Sequence, residues 1–287
     1  MTMPWGRIEN DAYWLMFLAS FIVVAIWESL RPKRNLSSGV TRRWSRHGII
    51  LLAATIVSIA LYRASPVIVA VAMVNSRFGL LNKPWLPSPV RFIFAILLLD
   101  LVRYAVHRSF HAVPFLWRVH HVHHSDPDLD LSTGARAHPV ETILTQGANL
   151  AAVAILAAPP AAVLAVELFS CAQSFFSHAN ASLPGWLEKP LRWMFVTPDM
   201  HRVHHSEEVR EQSRNLGDIF PWWDHVFRTY LEVPAAGQDR MLVGLKGFQN
   251  DESLNLAFML LHPFRLQPRE VTSQETPVIR PSSHSMN

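Results

Sequence analysis

Eleven of the fifteen histidines in this chain lie between His107 and His205, and most stand three or four residues apart. They read HRSFH (His107, His111), HHVHH (His120, His121, His123, His124) and HRVHH (His201, His204, His205), with His138 and His178 between. Spacings of three and four put side chains on one face of a helix. Imidazole is the commonest protein ligand for a transition metal. A chain of this kind is therefore constrained to fold so that short helix ends point their imidazoles at one another. His107 and His111 form an i, i+4 pair. His120, His123, His124 and His201, His204, His205 form two i, i+3, i+4 trios, each able to present three nitrogens from one face. With His178 this makes nine donors, more than one mononuclear site uses and suited to two metal ions with open positions.

The remaining histidines read differently. His121 is turned about 100° from His120 on a helix, so it is expected to support the site from outside. His138, in RAHPVE, stands open between outer-site hydrogen bonding and packing at a membrane interface. His47, His225, His262 and His284 are read as ordinary surface or core residues.

The donor set narrows the metal. Zinc hydrolases on helices use HExxH, in which the glutamate is the base, and no glutamate lies inside any of these clusters. Oxygen-rich Mg or Ca sites are the wrong chemistry for imidazole. The single cysteine, Cys171, excludes thiolate clusters and intramolecular disulfides. No nucleic-acid-binding motif is present, and nucleic acid is not an expected partner.

Half of the residues are hydrophobic and 17% are charged, with a mean hydropathy of +0.15. That mixture fits a membrane part joined to a polar part. Apolar segments run over roughly 12–27, 49–62 (prolonged by 67–74), 90–106, 143–158 and 161–176, the last two parted by Pro159-Pro160. A diproline ends a helix and is read as a tight turn between paired helices. The first run is expected to be a retained membrane helix. A shorter apolar patch, 254–261, is expected to lie on the membrane surface.

Orientation follows from basic residues. The first loop carries Arg31, Lys33, Arg34, Arg42, Arg43 and Arg46, and the next only Arg63, Arg77 and Lys83. The first loop is therefore expected in the cytoplasm. Counting crossings from there brings every histidine group to that same side. The expected fold is an all-α integral membrane bundle of about four to five membrane helices or hairpins. A cytoplasmic helical cap carries the histidine clusters. The expected division is 1–89 (N-terminal membrane helices), 90–265 (catalytic region) and 266–287 (disordered tail). A metal site at a membrane face beside a lipid-accessible cavity favours redox iron acting on an apolar substrate.

The order HxxxH, HxxHH, HxxHH among membrane helices resembles the fatty acid hydroxylase superfamily, which includes sterol desaturases, sterol methyl oxidases, sphingolipid hydroxylases and alkylglycerol monooxygenases. DLVRYAVHRSFH, WRVHHVHHS, RAHPVE, FFSHAN, TPDMHRVHHS and NLGDIFPWWDHVFRTY are similar to that family's signatures and cover roughly 91–230. The resemblance implies a non-haem di-iron site with His107, His111, His120, His123, His124, His201, His204 and His205 as ligands and His178 as a further one. It implies hydroxylation of a lipid, fatty acyl, sterol or related, with O2; a desaturase of the same family is the alternative. Electrons would come from a ferredoxin, a b-type cytochrome or a reductase, since no GxGxxG fingerprint or iron–sulfur cysteine run is present. A histidine-rich metal transporter or sensor is the rival from another class. Ligating histidines usually give their other N–H to a carboxylate or carbonyl; Asp100, Glu141, Asp199, Asp218 and Asp224 are candidates beside His121 and His138. Trp222 and Trp223 are read as interfacial anchors or cavity wall, and Arg108 and Arg202 as partners of those acids or of lipid phosphate.

Overall fold

The computed structural model describes residues 5–74, 76 and 78–265; the tail expected over 266–287, and His284 within it, lie outside the described residues. Among the described residues every named element is helical. Seven helices build the bundle: α1 (Trp5–Leu30), α2 (Val40–Tyr62), α3 (Pro66–Val74), α4 (Ser88–Ala112), α5 (Pro114–His124), α6 (Pro139–Leu156) and α7 (Pro160–Ser177). Five more follow: α8 (Gly185–Leu191), α9 (Pro198–His204), α10 (Val209–Gln212), α11 (Trp222–Val226) and α12 (Leu256–Arg265).

Four segments are long and apolar enough to cross a membrane: α1, the joined pair α2–α3, α6 and α7. Their outward faces confirm the solvent they are made for. Leu15, Leu18, Ile22 and Val23 on α1, and Leu52, Ile56 and Ile59 on α2, are exposed, an arrangement stable against lipid tails and costly against water. The protein is an integral membrane protein. The apolar stretch 90–106, expected as a further span, belongs to α4, which is absent from this set of spans. It carries Asp100 and Arg103 and lies inside the bundle against α6 and α7.

The interior is built from small and branched side chains, Ala70, Ala95, Leu99, Val153, Ala162 and Val163, contributed by α3, α4, α6 and α7. Small residues let helices approach closely where no hydrophobic drive separates protein from lipid. A second cluster joins α1 to α7, with Phe17 edge-on to Phe175 at 5.1 Å and Phe21 edge-on to Trp44 at 5.1 Å.

The diproline acts as expected. Ala157 takes a left-handed conformation (φ 47°), and α7 starts at Pro160. The carbonyls left unpaired at the end of α6 are met by backbone from elsewhere: Leu80 and Leu81 N–H donate to Ile155 and Leu156 O at 3.0 and 2.9 Å. Such partners matter at a turn between two membrane helices, because lipid supplies none.

The connectivity places the C-terminal ends of α1, α4 and α7 and the N-terminal ends of α2 and α6 together at one end. Glu28, at the end of α1, accepts from Leu131 N and Asn180 N at 2.7 and 2.6 Å. Arg43, near the start of α2, reaches Asp126, Asp128 and Asp130. The short helices gather at this same end. α12 covers the patch expected over 254–261: it buries Met259 against Ile50 and Val122 and exposes Leu261 and Phe264.

Candidate metal centre

The site is assembled from helix ends. α4 ends just after His111. Val113–Pro114 then starts α5 with proline at its first turn, where the missing N–H costs nothing. α9 starts the same way: Thr197 accepts from Met200 N, and Pro198 follows it. His178 caps the end of α7, and His205 caps the end of α9.

These ends converge. The ligand atoms of His107, His111, His120, His124 and His204 lie within 4.8 Å of one another, as do those of His123, His178, His201 and His205. The two groups adjoin, with His124 stacked on His205 at 4.5 Å and His120 on His123 at 5.2 Å. All nine histidines singled out for the site are therefore brought together. The grouping differs from the expected one-face trios. The i, i+4 pairs His120/His124 and His201/His205 stay within one group each, while His123 and His204 cross to the other. Rings four residues apart are stacked more nearly above one another than rings three apart.

The second nitrogens explain what the first ones are for. His107 Nδ1 donates to Leu216 O at 2.9 Å, His178 Nδ1 to Ser174 O at 2.8 Å and His204 Nδ1 to Arg214 O at 3.0 Å. His120 Nδ1 faces Glu141 Oε1 at 2.8 Å. A neutral imidazole has one N–H, so each such bond leaves a bare lone pair on Nε2. In the first group Nε2 of His107, His120 and His204 are buried without a hydrogen-bond partner, and so is that of His111. In the second, Nε2 of His178 lies 3.3 Å from that of His123 and 3.0 Å from that of His201, which is 3.2 Å from His205 Nε2. Metal–imidazole bonds of about 2.0–2.1 Å, the zinc value, put neighbouring ligand nitrogens roughly 3 Å apart. Lone pairs aimed at one another are unfavourable alone and suited to a cation between them. Burial, and then the neighbouring imidazoles, hold His123, His124, His201 and His205 well below the ordinary histidine pKa, and burial pushes His178 down to about 4. Neutral imidazole is the form that binds metal.

The supporting acids divide. Glu141 touches a site histidine directly. Asp224 accepts from Leu216 N and Gly217 N, and Asp100 from Ile219 N and Trp223 Nε1. Both thus fix the loop that offers the Leu216 carbonyl to His107. Asp199 pairs with Arg202. Asp218 accepts from Ser170 Oγ at 2.6 Å. His121 turns away from both groups and packs on Phe248 and His262. His138 caps α6, accepting from Val140 N at 3.1 Å, and its ring meets Phe264 of α12. His225 stacks on Tyr230 at 4.2 Å. Trp222 donates to Trp193 O, and Arg108 lies over the Phe227 ring.

Three supports left no mark in the sequence, because they are backbone carbonyls (Leu216, Arg214, Ser174). Gly134 is a fourth: a Cβ there would sit 2.5 Å from Ser174 Oγ and 3.1 Å from His178 Nδ1. A buried charged network was also missed. Arg43 donates to Asp126 at 2.6 and 2.8 Å and to Asp130 at 2.8 Å. Arg136 donates to Val122 O and Ser253 O, and His47 bonds Ser132 Oγ at 2.8 Å. Its trace was the run of alternating acids in SDPDLDLS directly after HHVHH.

A cavity opens onto the histidines between α4, α6 and α7, lined by Val106, Phe110, Thr145 and Ser177 with Arg103 and Asp218.

The fatty acid hydroxylase family profile matches residues 92–229, the stretch that contains all nine histidines of the site. That stretch is a fatty acid hydroxylase family region. The chain is 28% identical over 267 residues to an alkylglycerol monooxygenase of Caenorhabditis elegans, covering 91% of this chain and 48% of that protein. Ornithine lipid hydroxylase OlsE of Rhizobium tropici is 24% identical over 79% of this chain and 70% of its own length. Human alkylglycerol monooxygenase is 31% identical over 58% of this chain and 36% of its own. The chain thus spans about half or less of the alkylglycerol monooxygenases it matches. No solved structure matches it significantly.

Proposed function

We propose that this protein is a membrane-bound non-haem di-iron oxygenase that hydroxylates a lipid with O2 and externally supplied electrons. The observation that carries the reading is the pair of adjoining imidazole groups whose bare nitrogens meet at the head of a cavity between membrane helices. Imidazole donors suit iron, and the relatives' names are those of lipid hydroxylases. His107, His111, His120, His124 and His204 would hold one ion, and His123, His178, His201 and His205 the other. When bound, the irons would supply reductive activation of O2 and the oxidising power to break a C–H bond.

The chain's own residues do the rest. Leu216 O, Ser174 O, Arg214 O and Glu141 fix which imidazole nitrogen faces inward. Val106 and Phe110 give the cavity an apolar wall that seats an acyl or alkyl chain and keeps water out. Glu141 Oε2 is buried without a hydrogen-bond partner and the residue lines the cavity. The six basic residues between the end of α1 and the first turns of α2 favour the cytoplasm for the site, where a ferredoxin, b-type cytochrome or reductase can deliver electrons. The stretch 90–265 is the catalytic region, built on the membrane helices of 1–89.

A transporter holds its ligands near the bilayer midplane on broken helices, whereas these sit at helix ends. The test is expression in a heterologous host with untargeted lipid mass spectrometry, wild type against His204→Ala. A lipid gaining one oxygen only in the wild type supports hydroxylation, and loss of two hydrogens means desaturation. Identical lipid profiles would sink the reading.

A further inference from the structure

Arg103 stands one helical turn before His107 on α4, and Ser170 and Glu167 stand two to three turns before His178 on α7. Together they place charge inside the bundle, on the membrane side of the histidines. Arg103 donates to Glu167 Oε1 at 2.6 Å and Ser170 Oγ at 2.9 Å, and Asn149 of α6 donates to Glu167 at 3.0 Å. That pair ties α4, α6 and α7 and leaves the buried Arg103 Nε without a partner. Asp218 is in excess of it. Its carboxylate accepts from Ser170, lies 3.7 Å from Arg103, lines the cavity and keeps 34% of its side chain accessible. One guanidinium with two carboxylates leaves a surplus of acceptor and negative charge facing the cavity. Ionisable groups at such depth are costly and mark function.

Given the oxygenase reading above, we infer that Asp218 receives a hydrogen-bond-donating group of the substrate, a hydroxyl, amide N–H or ammonium, one to two helical turns from the histidines. One to two turns is about 5–11 Å. An extended chain covers that in roughly four to nine bonds at about 1.2 Å each. The carbon oxidised therefore lies close to the lipid's polar group and far from its methyl terminus. Val106 and Phe110 then hold only the first part of the chain beyond that carbon.

The test uses the full-length protein in detergent, stripped of metal by a chelator, and two probes: hexadecylglycerol and the same lipid with both hydroxyls methylated. Wild type binds the free diol about tenfold more tightly, the size of one hydrogen bond to a charged acceptor. Asp218→Ala brings the ratio close to one without weakening the methylated lipid. Asp218→Asn keeps the shape, lowers the ratio at least threefold and suffices should the alanine variant not fold. A wild type without preference, or a preference that survives in Asp218→Ala, overturns the assignment. In the metal-loaded enzyme, fragmentation mass spectrometry should place the new oxygen within those nine bonds, and oxygen in the distal half of the chain also overturns it. A binding preference without any oxygenated product would leave the Asp218 pocket standing and remove the oxygenase reading instead.

Discussion

Two buried polar clusters meet at the C-terminal end of α5, and they are opposites. From Asp126 onward the side chains belong to a closed network: Arg43, with no exposed surface, gives Nε and both Nη atoms to Asp126, Asp130 and Thr133. Burial opposes ionisation of Asp126, yet Arg43 and Arg136 hold its carboxyl below the ordinary aspartate range. Up to His124 the side chains belong to an open chamber in which nitrogen after nitrogen lacks a partner. A protein rarely leaves buried polar atoms unsatisfied. The closed cluster serves the fold, and the open one carries the donor set of a metal centre.

The contrast can be broken most sharply at His204. His204→Ala is expected to cut bound iron and lipid product by more than about 100-fold, because even the loss of an imidazole's supporting partner costs 10–100-fold. The metal-free variant should melt only a little below metal-free wild type, since it removes a buried nitrogen that lacked a partner together with the Nδ1 bond to Arg214 O. Iron analysis and thermal unfolding in detergent measure the two halves. Arg43→Met should do the reverse. It strands three buried carboxylates and is expected to cost about 3–5 kcal/mol of stability, read by denaturant unfolding of the metal-free protein, with iron lost only as the fold is lost.

Glu141→Leu is expected to lower metal affinity about 10–100-fold, and Glu141→Gln much less, because the amide oxygen still accepts from His120. Competition with a chelator would show this. The smallest effect is on pH. His123, His124, His201 and His205 have folded pKa values held below the ordinary value. Below about pH 6.5 the unfolded chain therefore binds more protons than the folded one, and stability falls as pH falls. Metal-free protein should lose thermal midpoint between pH 7 and 5. Metal-loaded protein, whose imidazoles are held by the ions, should lose it later.

Much of this was legible in sequence because helical spacing and hydropathy are local. His107/His111, the trios and the diproline turn of α6 and α7 all announce themselves within a few residues. What stayed hidden depends on distant contacts. Asp100 and Asp224 act on a backbone loop, so their purpose shows only when Leu216 O is seen against His107. The α4 stretch reads as another span because its apolar residues outnumber Asp100 and Arg103. What the sequence does not show is where those charges go: Arg103 against α7 and Asp100 against the 216–223 loop. His121 followed the helical wheel, turning away from the site to meet His262, a residue 141 positions further on that no local pattern connects to it.

The division of each trio between the two imidazole groups has a mechanical corollary. α5 and α9 each feed both sides of the chamber, so a small roll of either helix about its axis tightens one nest of nitrogens while loosening the other. On the proposed two-ion reading, the spacing of the ions would be set by polypeptide rather than by the ions, and filling one nest would stiffen the framework of its neighbour. Uptake of the pair should proceed as a single sigmoidal event, not as two independent steps.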